Sequence, residues 1–413
     1  MTLTTPDLRG PTWRRALRSF RKKFAFWKQQ QRPNPNRVIL TAYEIGEREG
    51  YERAIAWAER HIPDEVSHGI HVLRANRDKT DRAMWLRHVN AYLERYDVSP
   101  ITLADSPGGL IHRLRSAPRK TVNEGPLISV IMCAYNAQET IEMAARSILH
   151  QSWRPLELLI VDDNSTDDTA RLAMQLARED PRIKVHLNAA NVGPYVGRNL
   201  ALRHAKGEYI TCHDSDDWAH PERVEKQLEF LHREQLAGAL SGMLRMRIDG
   251  HFVRPSPAGK TSTDGILRLA SVSALFERKA YDAHLKNWDS VRFGADSELI
   301  RRAEIAFKNR VGTNPTVSMI CLEHSHSLTN DPQTGVSEKN GLSAARKFYT
   351  SNYKSWHSKL SENVTTLEFP LFERPFKASE EALVPIENIL TAIENSELRV
   401  NDEIRDLASC APE

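Results

Sequence analysis

A chain of 413 residues has room for two or three domains, and 40% hydrophobic with 27% charged residues suits a protein that buries a core and excludes a disordered one. Its 57 Lys and Arg nearly cancel 54 Asp and Glu, and a net charge of +3 excludes a protein that coats nucleic acid through a general positive field. The balance is local, however. Residues 1–37 carry one acid, Asp7, among many Arg and Lys, which leaves the remainder slightly acidic. The longest largely apolar run, Leu127 to Tyr135, is far too short to span a bilayer, and no apolar core follows the basic start as in a secretory signal. Cys133, Cys212, Cys321 and Cys410 lie far apart, without zinc or disulfide spacing, so reduced thiols in a cytoplasmic protein are expected.

In chain order, the first segment is 1–37. Trp13, Leu17, Phe20, Phe24 and Trp27 recur at helical steps, with Arg14, Arg15, Arg18, Arg21, Lys22 and Lys23 around them: a basic amphipathic helix ending at the breaker run from Arg32. Residues 38–120 comprise a helical domain, with helices over Tyr51–His61 and Arg82–Tyr96, and a linker from 105 to 125 rich in Pro and Gly. From 125 to 330 the pattern changes. Strands are expected at Leu127–Cys133, Leu156–Val161, Ile183–His186 and Tyr209–Cys212, with helices at Glu139–Gln151, Thr166–Glu179 and Gly197–Ala205 between them. Strand–helix alternation at this spacing predicts an α/β fold with a parallel sheet and right-handed crossovers. Residues 331–413 read as a mixed helical and irregular C-terminal extension, in which Arg346, Tyr349, Tyr353, Trp356 and His357 fall at helical spacing. They either close over a bound substrate or pack on the α/β core.

Ligands of open parallel sheets bind beyond the carboxyl ends of the strands. There stand Ala134-Tyr135-Asn136, then Asp162-Asp163-Asn164-Ser165, then Asn191-Val192-Gly193 with Arg198-Asn199, then His213-Asp214-Ser215-Asp216-Asp217. Three carboxylates within four residues repel one another unless a cation joins them, and hard oxygen ligands suit Mg²⁺ or Mn²⁺. The plainer alternative is an acidic turn that caps a helix over Pro221–His232.

The run from Ser129 to Pro221 resembles the family 2 inverting glycosyltransferases of the GT-A fold. The resemblance is carried by Val130–Asn136, Ile160–Asp167, Asn191–Gly193, Arg198-Asn199, Gly207–Ile210 and Asp214-Ser-Asp-Asp-Trp218 with Pro221, in order and spacing. It implies a Rossmann-like, mostly parallel sheet behind an all-α N-terminal region. It also implies a nucleotide-sugar donor, most often a UDP-sugar, a divalent metal, and a glycan or lipid-linked glycan acceptor in surface polysaccharide synthesis, with no nucleic acid. Donor-binding positions are then Ala134, Tyr135, Asn136, Asp163, Asn191, Gly193, Arg198 and Asp214. Tyr135 would pack on the base, Asp163 accept the uracil ring N–H, and Arg198 meet the diphosphate or the base side; helix capping by Asp163 and an Arg198 salt bridge to one of the acids are the alternatives. Asp216 is implied as the direct metal ligand and Asp214 as a metal or ribose contact, while Asp217 caps the next helix or joins them.

The same resemblance puts the catalytic base in Phe293-Gly-Ala-Asp296-Ser-Glu298, where Ala295 replaces a usual Glu. Asp296 occupies the base position or caps the helix 297–307, and Glu298 supports the acceptor or caps that helix. His324 and His326, beside Ser327-Leu-Thr329, are further candidates to reach the metal, His324 first by its spacing. Gly259-Lys-Thr-Ser lacks the earlier Gly of a P-loop, and neither GxGxxG nor the Gln-x-x-Arg-Trp of processive synthases is present. A non-processive hexosyl- or N-acetylhexosaminyl-transferase is therefore expected, against the alternative of a degenerate domain that only binds a nucleotide-sugar or a partner. Lipid-linked acceptors give residues 1–30 a role on an anionic membrane surface, at the inner face; the alternative is packing on the 38–104 helices.

Overall fold

The computed structural model describes residues 35–62, 64–253, 264–324, 327–331, 333–337, 341–361 and 365–399. The Trp13–Trp27 stripe with its membrane assignment, His326, and the Gly259-Lys-Thr-Ser stretch lie outside the described residues. Helix α1 (Pro35–Glu49) opens the described chain, followed by α2 (Tyr51–His61), α3 (Ile70–Arg77) and α4 (Arg82–Glu94). Gly50 at φ 94° makes the tight link from α1 to α2, a conformation costly for any side chain. Asp81 caps α4 by accepting the N–H groups of Ala83 and Met84, both at 3.1 Å. The stretch expected to be an open linker folds instead: β1 (Ile101–Leu103), the short α5 (Leu110–Arg113) and β2 (Leu114–Ser116) form an antiparallel hairpin, because Leu110, Ile111 and Leu114 are apolar enough to be buried.

The α/β region builds a nine-stranded sheet. Strands β3 (Ile128–Ala134), β4 (Leu156–Asp162), β5 (Ile183–Leu187) and β6 (Tyr209–Cys212) pair in parallel, with α6 (Ile141–Leu149), α7 (Thr169–Glu179) and α8 (Gly193–Leu202) as crossovers. All of β4 is buried, as expected of a continuous apolar run covered on both faces. Then come β7 (Trp218–Ala219), α9 (Arg223–Arg233), β8 (Gly238–Met246), β9 (Arg268–Glu277), α10 (Arg278–His284), α11 (Ala295–Phe307) and β10 (Val311–Leu322). After a two-stranded ribbon of β11 (Val336–Ser337) and β12 (Gly341–Leu342), α12 (Ala344–His357) and α13 (Ile386–Asn395) lead to β13 (Glu397–Arg399). The strand order is β13-β5-β4-β3-β6-β9-β8-β10-β7. The expected parallel block is thus present and extended: β9 runs antiparallel to both β6 and β8, β8 and β10 are parallel, and β7 and β13 close the edges antiparallel.

Helices α6, α7 and α9 cover one face through Ile141, Ile148, Leu176, Val224 and Leu228. Helices α8, α11 and α12 cover the other through Tyr195, Leu202, Leu299, Tyr349 and Tyr353. The stretch Arg346–His357 is therefore mainly a helix packed on the core. The N-terminal helices share a third cluster with the far strands, in which Trp85, Tyr92 and Leu93 meet Leu244, Met246, Val317 and Ile320. Buried Asp264 ties this junction. It accepts the hydroxyls of Tyr92 (2.7 Å) and Tyr96 (2.6 Å) and the backbone N–H groups of Ile266 (2.8 Å) and Leu267 (2.7 Å), with His68 Nε2 at 3.0 Å.

Candidate active site

The strand ends that the sequence singled out meet at one rim. Asn136, at φ 50°, joins the β3 loop to the β4 loop: its Oδ1 accepts the Thr166 N–H at 2.9 Å and its N–H reaches Ser165 Oγ at 3.0 Å. Ala134 is buried and its carbonyl accepts the Asp163 N–H at 2.8 Å, while Tyr135 stands out from the rim, 52% exposed. The Asp163 carboxylate is 4% exposed and receives Asn188 Nδ2 (2.8 Å) and the Val192 N–H (2.9 Å) on Oδ1, and the Gly193 N–H (2.7 Å) on Oδ2. It therefore seats the first turn of α8, where free N–H groups and the helix dipole favour an anion. Burial pushes its carboxyl up, against the pull of these donors. Gly193 has φ 77°, and Asn191 bridges the Asp163 carbonyl (3.1 Å) to Arg292 Nη1 (2.9 Å).

Arg198 stands at the centre. It is 3% exposed, its Nη1 donates to Asp296 Oδ1 at 2.5 Å and its Nη2 to Asp214 Oδ1 at 3.1 Å. The rings of Tyr195 and Trp288 lie 5.0 and 5.9 Å from its guanidinium carbon, and the Tyr195 hydroxyl donates to Asp296 Oδ2 at 3.2 Å. Of the roles open to it, Arg198 takes the salt bridge, with two acids at once. It links the acidic turn after β6 to the first turn of α11. Asp296 does not cap that helix: Gly294, at φ 87°, occupies the cap position without a side-chain bond.

Carboxylate oxygens of Asp214, Asp216 and Asp217 come within 4.8 Å of one another, and His324 Nε2 lies 2.8 Å from Asp216 Oδ2. The Asp214 carboxyl is pushed up to about 6, first by desolvation and then by Asp216 and Asp296, with Arg198 opposing. Because 47% of the Asp214 side chain still meets solvent, the mutual repulsion is the part that a cation relieves. Oxygen donors with an imidazole fit Mg²⁺ or Mn²⁺. Asp217 is the buried member. Its Oδ1 accepts the Leu322 N–H of β10 at 3.0 Å, so it neither caps α9, whose N-cap position is held by Glu222 without a side-chain capping bond, nor points freely at the rim.

Glu298 corrects an expectation. It is fully buried, paired with Arg302 (2.8 and 3.0 Å) and with His357 Nε2 (2.9 Å), and so holds α11 to α12 rather than supporting an acceptor. Two residues beyond Asp296, about half a helical turn, are enough to move a carboxylate into the core. Ala295 is likewise buried in the apolar cluster beneath α11. Sequence reasoning passed over Tyr195, Asn188, Arg292 and Trp288. Tyr195 lies inside the Asn191–Asn199 stretch and Arg292 directly before Phe293, so proximity to recognised motifs was the available signal.

Residues 129–280 match the model of the family described as "Glycosyl transferase family 2", and this segment is a family 2 glycosyltransferase domain. Among curated relatives, the chain is 42% identical over 128 residues to the putative teichuronic acid biosynthesis glycosyltransferase TuaG of Bacillus subtilis, covering 31% of this chain and 51% of TuaG. It is 35% identical over 127 residues to the GalNAc(5)-diNAcBac-PP-undecaprenol beta-1,3-glucosyltransferase of Campylobacter jejuni, covering 30% of this chain and 36% of that one. The match thus spans about half or less of these relatives' length. Among solved structures, S. aureus TarS 1-349 is similar, with a TM-score of 0.39 at 22% identity over 48% of this chain and 60% of that one. Among the described residues no helix is long and apolar enough to cross a membrane.

Proposed function

We propose that the chain is a metal-dependent, inverting, non-processive transferase that moves a sugar from a nucleotide-sugar, a UDP-sugar in the first instance, to a hydroxyl of a glycan or lipid-linked glycan during surface polysaccharide synthesis. The relatives named for teichuronic acid and for an undecaprenol-linked acceptor support the acceptor class. The observation that carries the reaction is the buried Arg198, which holds the carboxylate of Asp296 beside the acidic turn.

In this reading Asp216 and Asp214, with His324, hold the divalent ion. Once bound, it supplies Lewis-acid stabilisation of the charge on the departing nucleoside diphosphate. Tyr135, exposed on the rim, packs on the base, and Asp163 accepts the uracil ring N–H on Oδ2, which a single internal donor occupies. Asp296 takes the proton of the acceptor hydroxyl. Arg198 and Tyr195 each engage one of its oxygens, which fixes the carboxylate while further lone pairs remain for the acceptor. Attack from the side opposite the leaving group inverts the anomeric carbon. A panel of UDP-, GDP- and dTDP-sugars, scored for nucleoside diphosphate release with Mn²⁺, tests the reading. Release from one donor, lost in Asp296→Asn with UDP binding retained, is expected; binding without release from any donor would mark a binding-only scaffold.

A further inference from the structure

Two arginines at the same rim have no part in the reaction just described. Arg245 lies near the end of β8 and Arg268 opens β9. Met243 pairs with Arg268, so Arg245, two residues beyond Met243, shares its sheet face with Arg268. On the other flank Cys321 of β10 pairs with Arg245, and Cys321 Sγ lies 3.4 Å from Met243 Sδ. Cys321 and Met243 belong to the cluster under α8, α11 and α12, so the two arginines occupy the face on which α11, and with it Asp296, is packed.

The two guanidiniums have one acid, Glu323, between them. Arg245, 13% exposed, has Glu323 Oε2 at 2.9 Å from its Nε, but the pair is not aligned as a hydrogen bond, and Glu323 also accepts Asn330 Nδ2 at 2.7 Å. Arg268 is partly buried and makes no hydrogen bond or ion pair among the described residues. Burial, and then the charge of Arg245, disfavour its cation, while Glu323 favours it. Two cations on one carboxylate leave an excess of positive charge under partial cover, which a further anion would relieve. The pair adjoins the reacting centre, since Glu323 precedes His324, which touches Asp216. It also lies beyond β6 from Tyr135, Asp163 and the start of α8, on the side away from the nucleotide.

We infer that Arg245 and Arg268 form a subsite for a phosphate or diphosphate group of the acceptor. The inference rests on the reading of Asp296 and the acidic turn as the reacting centre, and it makes the acceptor a phosphorylated one. A guanidinium pair suits such a group through bidentate, charge-assisted hydrogen bonds.

The test titrates farnesyl diphosphate by calorimetry into the full chain, free and saturated with UDP and Mn²⁺. Binding to the UDP-loaded protein is expected, weakened about tenfold or more in Arg268→Gln and in Arg245→Gln while UDP affinity stays within about twofold, with part recovered in Arg268→Lys. Melting temperatures near wild type show that the variants are folded. No binding to the UDP-loaded wild type, or equal binding by the Gln variants, overturns the proposal. Loss of UDP affinity in place of farnesyl diphosphate affinity also overturns it, because it assigns the arginines to the donor. Failure of the wild type to bind UDP removes the donor reading instead, and the titration of the free protein then decides the arginine subsite by itself.

Discussion

Arg198 shows what single residues contribute. An unpaired guanidinium at 3% exposure would be strongly unfavourable, and here two carboxylates and two aromatic faces compensate it. The consequence is a carboxylate, Asp296, that is held in one orientation. Replacing it with Asn keeps the shape but removes the proton acceptor, so kcat should fall by roughly 100- to 10,000-fold with UDP affinity little changed, measured by UDP release and calorimetry. An Asp216→Asn variant should instead lose Mn²⁺ affinity, read by metal titration, because the acidic turn then offers one carboxylate fewer. The acidic turn and the Asp after Gly294 were legible in the sequence as chemistry. Their joining through an arginine about a hundred positions from Asp296 was not, because that pairing depends on how α8 and α11 lie on the sheet.

At the scale of elements, two contacts decide how closely helices approach. A Cβ added at Gly197 would sit 3.1 Å from Cys133 Sγ and 3.3 Å from Val161 Cγ1, so α8 rests so close on β3 and β4 that any side chain here needs its neighbours to give way. Gly197→Val should cost about 1–3 kcal/mol in urea unfolding and displace Arg198 with it. Between α11 and α12, Glu298 and Arg302 are both fully buried, and Arg302 also donates to the carbonyls of Leu285 (2.7 Å), Thr365 (2.9 Å) and Asn287 (2.8 Å). Glu298→Ala leaves that guanidinium without its acid and should destabilise by about 3–5 kcal/mol in the same assay. Helical periodicity identified both helices, but the facing partner of Glu298 is His357, which no local pattern indicates.

For the whole molecule, Asp264 joins the N-terminal helices to the far strands. Burial raises its pKa, but the bonds from His68, Tyr96 and Tyr92 outweigh burial and hold it down at about 2, against 3.8 when free. The folded state therefore binds this proton less readily than the unfolded state. The resulting stabilisation, about 2 kcal/mol, is complete above about pH 5 and is lost as the pH falls toward 2 and below. Asp264→Asn should remove that part of the pH dependence, lower stability at neutral pH by a similar amount, and raise hydrogen exchange in α3 and α4 before the central strands.

The sequence by itself determined the alternating strands and helices of 125–330, the rim at their carboxyl ends, the acidic turn and the family, because each of these rests on residues near one another in the chain. Strand runs and helical spacing reveal which side chains share a face, and motif order reveals which loops share an end. Tertiary structure decided the rest. It turned Glu298 inward, bound Asp217 to the backbone of β10, gave Arg198 its two acids, folded the presumed linker, and set Arg245 beside Arg268. All of these are pairings between segments distant in sequence, chosen by how strands order themselves and helices pack, and a charge has no partner until that packing supplies one.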